Sequence, residues 1–130
     1  AEWMMVPAYH QIYGGAPPPR MGLRHNLIVP YGPYPTRDGP VNIAVHTDAQ
    51  WERFCTIVLE HPSLTADERF ATNERRVRAR AELEPTIETI LSVLPRSSVL
   101  ERLARADIPS GALNSVADLV EHPQLAARGR

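Results

Sequence analysis

GLRHNLIVPYGPYPTRDGPVNIAVHTDAQW, residues Gly22–Trp51, is the stretch on which the fold turns. Tyr31–Thr36 and Val41–Val45 are short extended runs on either side of Arg37-Asp38-Gly39-Pro40, and Asp-Gly between two such runs signals a hairpin. Pro33 and Pro35 lack amide donors, which confines the first run to an edge or an irregular strand. The second run empties onto a helix start, where Thr47 and Gln50 have capping-box spacing. From Asp48 to about Leu59 the apolar residues Trp51, Phe54, Cys55 and Val58 fall on one helical face.

Outward from this stretch, Thr65-x-x-Glu68 repeats the capping signature at a short helical turn ending at Phe70. Asn73 opens a long helix to about Leu94, with Val77, Leu83, Ile87, Ile90, Leu91 and Leu94 at helical spacing and a bend or stop expected at Pro85. Ser98 and Glu101 mark the start of the next helix. Ile108–Leu113, punctuated by Pro109 and Gly111, reads as a third strand. Ser115 and Asp118 then cap a helix ending near His122-Pro123, and a last helical turn follows from Gln124. The class is α+β: a small three-stranded antiparallel sheet packed with several helices.

Upstream, residues 1–13 are mostly apolar and need a partner surface, and GGAPPPRMG over 14–22 favours an extended crossing segment. The division expected is an entry segment and proline-rich linker over 1–21 and a small domain over 22–130. Ala1–Met5 reads as the middle of a helix, and Ala126–Arg130 has no terminal character, so a fragment of a longer chain is expected.

The 130 residues suffice for one domain with a modest core. A net charge of −1 leaves no cationic surface for a nucleic-acid backbone. All 14 basic residues are arginine, which reads as codon usage before phosphate recognition, because they are spread along the chain. Cys55 is alone, so no internal disulfide forms, and its apolar surroundings mark it as a packing residue. No run approaches the length of a membrane helix and no signal peptide is visible, which makes the cytoplasm the default location.

The five histidines, His10, His25, His46, His61 and His122, have no metal-ligand spacing, so no metal site is expected. His46 reads as a core or capping group. Arg75, Arg76, Arg78 and Arg80 lie beside Glu74 and Glu82, a pattern of solvated helical ion pairs. Asp48 reads first as a carboxylate complementing the helix dipole, and Gly22-Leu23-Arg24-His25-Asn26 as a turn whose glycine permits close approach of a ligand. The serine-hydrolase, phosphate-loop and dinucleotide signatures are all missing.

Taken in order, Glu2-Trp3-Met4, Gly14-Gly15, Pro30-Tyr31-Gly32, Asp38-Gly39, Gln50-Trp51, Asp67-Glu68-Arg69-Phe70, Ala71-Thr72-Asn73 with Arg76, and His122-Pro123-Gln124-Leu125 resemble the class III CoA-transferases. That family includes the crotonobetainyl-CoA and formyl-CoA transferases and α-methylacyl-CoA racemase relatives. The resemblance implies the small domain of an acyl-CoA:carboxylate CoA-transferase, with a coenzyme A thioester as substrate, a carboxylate acceptor and no covalently bound cofactor. It implies an interlocked homodimer and a nucleophilic aspartate in a large domain that no segment here matches, so this chain alone is expected to be inactive.

In the family a glycine-rich loop before the Pro-Tyr-Gly corner lies over the thioester. Here only Gly22 is glycine, and Arg24, His25 and Asn26 replace the amide cradle with side chains suited to a substrate carboxylate. Tyr31 is a further expected contact. The racemase branch carries an acid that lines up with Asp48 through Gln50, so Asp48 is a possible acid or base. A non-catalytic assembly module is the remaining alternative.

Overall fold

The computed structural model describes residues 2–129, so Ala1 and Arg130, included in the reading of the two chain ends, lie outside it. Among the described residues no helix is long and apolar enough to cross a membrane. Three antiparallel strands, β1 (Tyr31–Tyr34), β2 (Val41–Ala44) and β3 (Ser110–Ala112), form a sheet in the order β1-β2-β3. The two proline-bearing β1 and β3 segments take the edges, where a missing amide costs no ladder bond to a neighbour. Tyr31 pairs with Ala44 and Tyr34 with Val41, and Asn42 pairs with Gly111. Asp38-Gly39 lies in the loop between β1 and β2, as the sequence indicates, although that loop spans 35–40 rather than 37–40.

Side chains alternate across the sheet. Tyr34, Val41, Ile43 and Val45 are fully buried on the inner side, against Phe54 and Val58, Leu83, Ile87 and Leu91, and Val99 and Leu103. The i, i+4, i+8 row Leu83–Ile87–Leu91 belongs to helix α5 (Arg80–Ser92), and burying each such side chain stabilises by roughly 1.5–3 kcal/mol relative to exposure. The Thr47–Gln50 capping box forms as read and starts α2 (Asp48–Arg53), which opens into a wide π turn over Phe54–Val58. The face comprising Trp51, Phe54, Cys55 and Val58 is buried. Burial pushes the Cys55 thiol up to about 12 despite nearby Arg76, consistent with a packing role.

Three local expectations are corrected. The helix expected over Asn73–Leu94 is two helices, α4 (Asn73–Arg78) and α5, broken at Ala79. Pro85 sits inside α5; the break lies upstream of it, so Pro85 falls in the second turn of a fresh helix. Thr65 and Glu68 form no capping box. Thr65 lies inside the short α3 (Ser63–Ala66), its hydroxyl donating to the Pro62 carbonyl, and Asp67 caps the 3-10 turn Glu68–Phe70. Finally, α6 (Arg96–Arg105) begins after Pro95 with Ser98 inside it. Asp38, from the distant hairpin loop, accepts from the Arg96 amide at 2.6 Å, a cap that no local pattern could announce.

At the chain's start a 3-10 turn spans Glu2–Met4; α1 (Met5–Gly14) contains no buried residue, and Trp3 is 96% exposed. At the other end, α7 (Val116–Val120) carries the expected Ser115–Asp118 box, and His122 caps α8 (Pro123–Ala127) by accepting the Gln124 amide.

Candidate functional site

The outer side of the sheet is uncovered. It forms an open cleft of about 580 Å³ floored by Ala44 and Gly111, with Leu23 and Leu113 at its apolar edges. Tyr31, Asn42, His46 and Ser110 supply its polar lining. The Tyr31 ring stands between two imidazoles, 5.1 Å from His25 and 5.5 Å from His46. Such spacing is that of packed aromatic neighbours. Among the described lining residues there is no carboxylate and no guanidinium.

The loop over 22–27 is held against the sheet by side chains that the sequence alone would leave in solvent. Arg24 points into the fold, bonded to Glu84 at 2.8 Å and Glu88 at 2.5 Å, with its guanidinium 4.7 Å from the centre of the Tyr34 ring. Burial works against its charge, but Glu84, Tyr34 and Glu88 together hold its pKa above the ordinary arginine value. Arg24 is thus engaged within the chain and does not line the cleft. Arg80 donates to the carbonyls of His25 at 2.6 Å and Asn26 at 3.2 Å. The Asn26 amide meets His10 of α1 at 3.2 Å, and the His25 amide donates to the Tyr31 carbonyl at 3.1 Å. Gly22, at φ 61°, faces open space.

His25 Nδ1 accepts the Leu27 amide at 3.1 Å, a bond that requires this nitrogen to be unprotonated. Burial lowers the His25 pKa below 6.5, and Arg80 and His46 push it the same way. A histidine harder to protonate when folded supports stability fully above pH 6.5, and this support declines as pH falls through the folded value. Melting temperature should therefore drop between pH 7.5 and 5.5, a window above the ordinary carboxylate range, and the drop should shrink in His25→Gln. An unchanged drop in that variant would remove His25 from the account.

The four-arginine cluster also differs from its reading. Arg78 pairs with Glu74 at the surface, as expected. Arg76, by contrast, is fully buried. Its planar fork donates to the Val29 carbonyl at 2.9 Å, the Phe70 carbonyl at 3.0 Å and Asp48 Oδ1 at 2.9 Å, over the Trp51 ring. Helical spacing alone puts Arg76 beside its exposed neighbours; only the return of the 22–30 segment across α4 encloses it. Asp48, 62% exposed, is therefore an ion-pair partner at the head of α2 and is not among the cleft-lining residues.

Of the site residues read from the sequence, the structure brings together His25 and Tyr31 and turns Arg24, Asn26 and Asp48 to contacts within the chain. It adds Asn42, His46 and Ser110. Asn42 was recoverable from strand alternation, which places it on the same side as Ala44; His46 required the fold beyond β2, and Ser110, opposite Ile43 in the register, borders the cleft from the edge strand with its side chain on the inner side. Among the described residues no group of three or more His, Cys, Asp or Glu side chains could hold a metal ion.

Comparison with known proteins decides the family. The family model described as "CoA-transferase family III" matches residues 1–130. The chain belongs to CoA-transferase family III. This family III chain is 36% identical over 118 residues to the succinate–glutarate CoA-transferase of Agrobacterium fabrum, covering 91% of this chain and 29% of that protein. It is 32% identical over 114 residues to the acetyl-CoA:oxalate CoA-transferase of Acetobacter aceti, covering 88% and 29% respectively. The crystal structure of a CaiB/BaiF family protein from Brucella suis superposes with a TM-score of 0.82 at 37% identity, over 97% of this chain and 33% of that one. The α+β class with a three-stranded antiparallel sheet is thus that of a family III segment, and the chain spans under a third of the length of these relatives.

Proposed function

We propose that this chain is the small domain, over 22–130 with its entry segment, of an acyl-CoA:carboxylate CoA-transferase. Its outer sheet face and the 22–27 loop cover a coenzyme A thioester held by a large domain of the same protein, in an interlocked cytoplasmic homodimer. The observation that carries this reading is the cleft itself: an uncovered sheet face, with a small-residue floor and polar rim, beside a loop pinned by Arg24 and Arg80. Pinning matters because a cover that excludes water must hold its groups in place before the substrate arrives. The relatives named for glutarate and oxalate support a small dicarboxylate as acceptor.

The test is CoA transfer from succinyl-CoA to glutarate by the full-length protein, followed by product chromatography. Transfer is expected from the full-length protein and none from the 130-residue chain alone, since the nucleophile belongs to the large domain. His25→Gln should lower kcat/KM about 10- to 100-fold, the range for losing one positioned polar group. Asp48→Asn keeps an oxygen acceptor for Arg76 and should stay within a few-fold. The racemase alternative makes the opposite demand: α-proton exchange with solvent deuterium, abolished by Asp48→Asn.

A further inference from the structure

The polar side chains of this domain are mostly engaged with one another: Arg24, Arg76, Arg80, Asp38, Asn73 and Asp118 all have partners within the chain. The outer cleft is the exception. Tyr31, Asn42 and His46 line it, and none of their side chains hydrogen-bonds another described residue. Of His46, only the backbone amide is bonded, to Gln50 Oε1 at 2.8 Å.

These three side chains come from β1, β2 and the β2–α2 junction and border one cleft, so a single ligand can meet them together. All three carry a hydrogen-bond donor. With no acidic group in the lining to repel it, an anion is the ligand whose charge this set complements. The floor of Ala44 and Gly111 leaves room for a slim chain, and Leu23 and Leu113 offer apolar contact to methylenes. A planar anionic head on a short aliphatic chain is a carboxylic acid.

We propose that this cleft grips the distal carboxylate of the dicarboxylic acceptor, with His46 as the specificity-determining residue and Asn42 as a neutral donor. The inference rests on the transferase reading above and adds which end of the acceptor the small domain reads. Tyr31, wedged between His25 and His46, sets the His46 ring position from the loop side.

The experiment uses the full-length protein and two five-carbon acceptors, glutarate and valerate, which differ in the distal carboxylate. In His46→Gln the ratio of kcat/KM for glutarate over valerate should fall about tenfold or more, the scale of one charge-assisted hydrogen bond. The change should lie in the glutarate KM. Asn42→Ala should reduce the same ratio a few-fold, and His122→Gln, remote in sequence and capping α8, should leave it alone. An unchanged ratio in His46→Gln overturns the proposal while leaving the transferase reading intact.

If the wild-type protein transfers no CoA to either acid, the transferase reading fails. The cleft is then judged by histidine Cε1 proton shifts on titration with glutarate and valerate. A His46 shift specific to glutarate sustains a diacid grip; no such shift removes it.

Discussion

Replacing Arg76 with leucine is expected to destabilise the domain by about 3–5 kcal/mol. Two buried carbonyls, Val29 and Phe70, lose a charged donor, at roughly 1–3 kcal/mol each. The stacking of the guanidinium on Trp51 is lost as well, worth about 0.5–2 kcal/mol. Asp48 adds little to the loss, because it is largely exposed and is rehydrated once its partner is gone. Leucine fills much of the volume, so the effect is mainly one of unmet hydrogen bonds. Lysine should recover only part, since a single ammonium cannot span three acceptors in the plane that a guanidinium serves. Urea unfolding of the three proteins measures this; a leucine variant within about 1 kcal/mol of wild type would show that water replaces the fork without penalty.

Gly32→Ala is expected to be nearly as damaging, by about 2–4 kcal/mol, through strain and displacement of the loop. At φ 135° the position lies where a side chain is strained. An added Cβ would also stand 2.9 Å from Arg24 Cγ, 3.0 Å from Arg24 Cα and 3.1 Å from the Leu23 carbonyl. Two of those three atoms are backbone, so relief requires the loop to move off β1, pulling Arg24 from Glu84 and Glu88. Gly22→Ala separates the two causes. Its φ of 61° carries strain, yet nothing lies within 4 Å, so only about 1 kcal/mol is expected. Equal midpoints for the two variants would mean that contact with the loop is immaterial. In the full-length protein Gly32→Ala should lose CoA transfer along with loop position, whereas Gly22→Ala should retain most of it.

Much of this architecture was legible from residues near one another in the chain. The Thr47–Gln50 and Ser115–Asp118 boxes, the hairpin around Asp38-Gly39 and the buried face of Trp51, Phe54, Cys55 and Val58 follow from short-range hydrogen bonding and side-chain periodicity. The family, too, was legible, because its short motifs recur in order along the chain. The breaks were harder. Nothing local marks Ala79 as the end of α4, since Ala favours helix and Pro85 is the only obvious breaker.

The candidate site divides the same way. His25 could be singled out because it lies in the loop before the Pro30-Tyr31-Gly32 corner, Tyr31 because it is the centre of that corner, and Asp48 because it starts a helix. What each does was set by residues far off in sequence. Arg24 and His25 are neighbours in one loop, yet Glu84 and Glu88 draw the first inward while the ring of the second lies beside Tyr31.

Contacts within a few residues set the α+β class, the antiparallel hairpin and the Thr47–Gln50 and Ser115–Asp118 caps, which is why the sequence alone sufficed for them. Convergence of distant segments made Arg76 a buried tie, Asp38 the cap of α6, and Tyr31, Asn42 and His46 the border of one open cleft. Burial and convergence are properties of the space between segments: a guanidinium at the surface of an isolated helix becomes interior only when another stretch of chain folds across it.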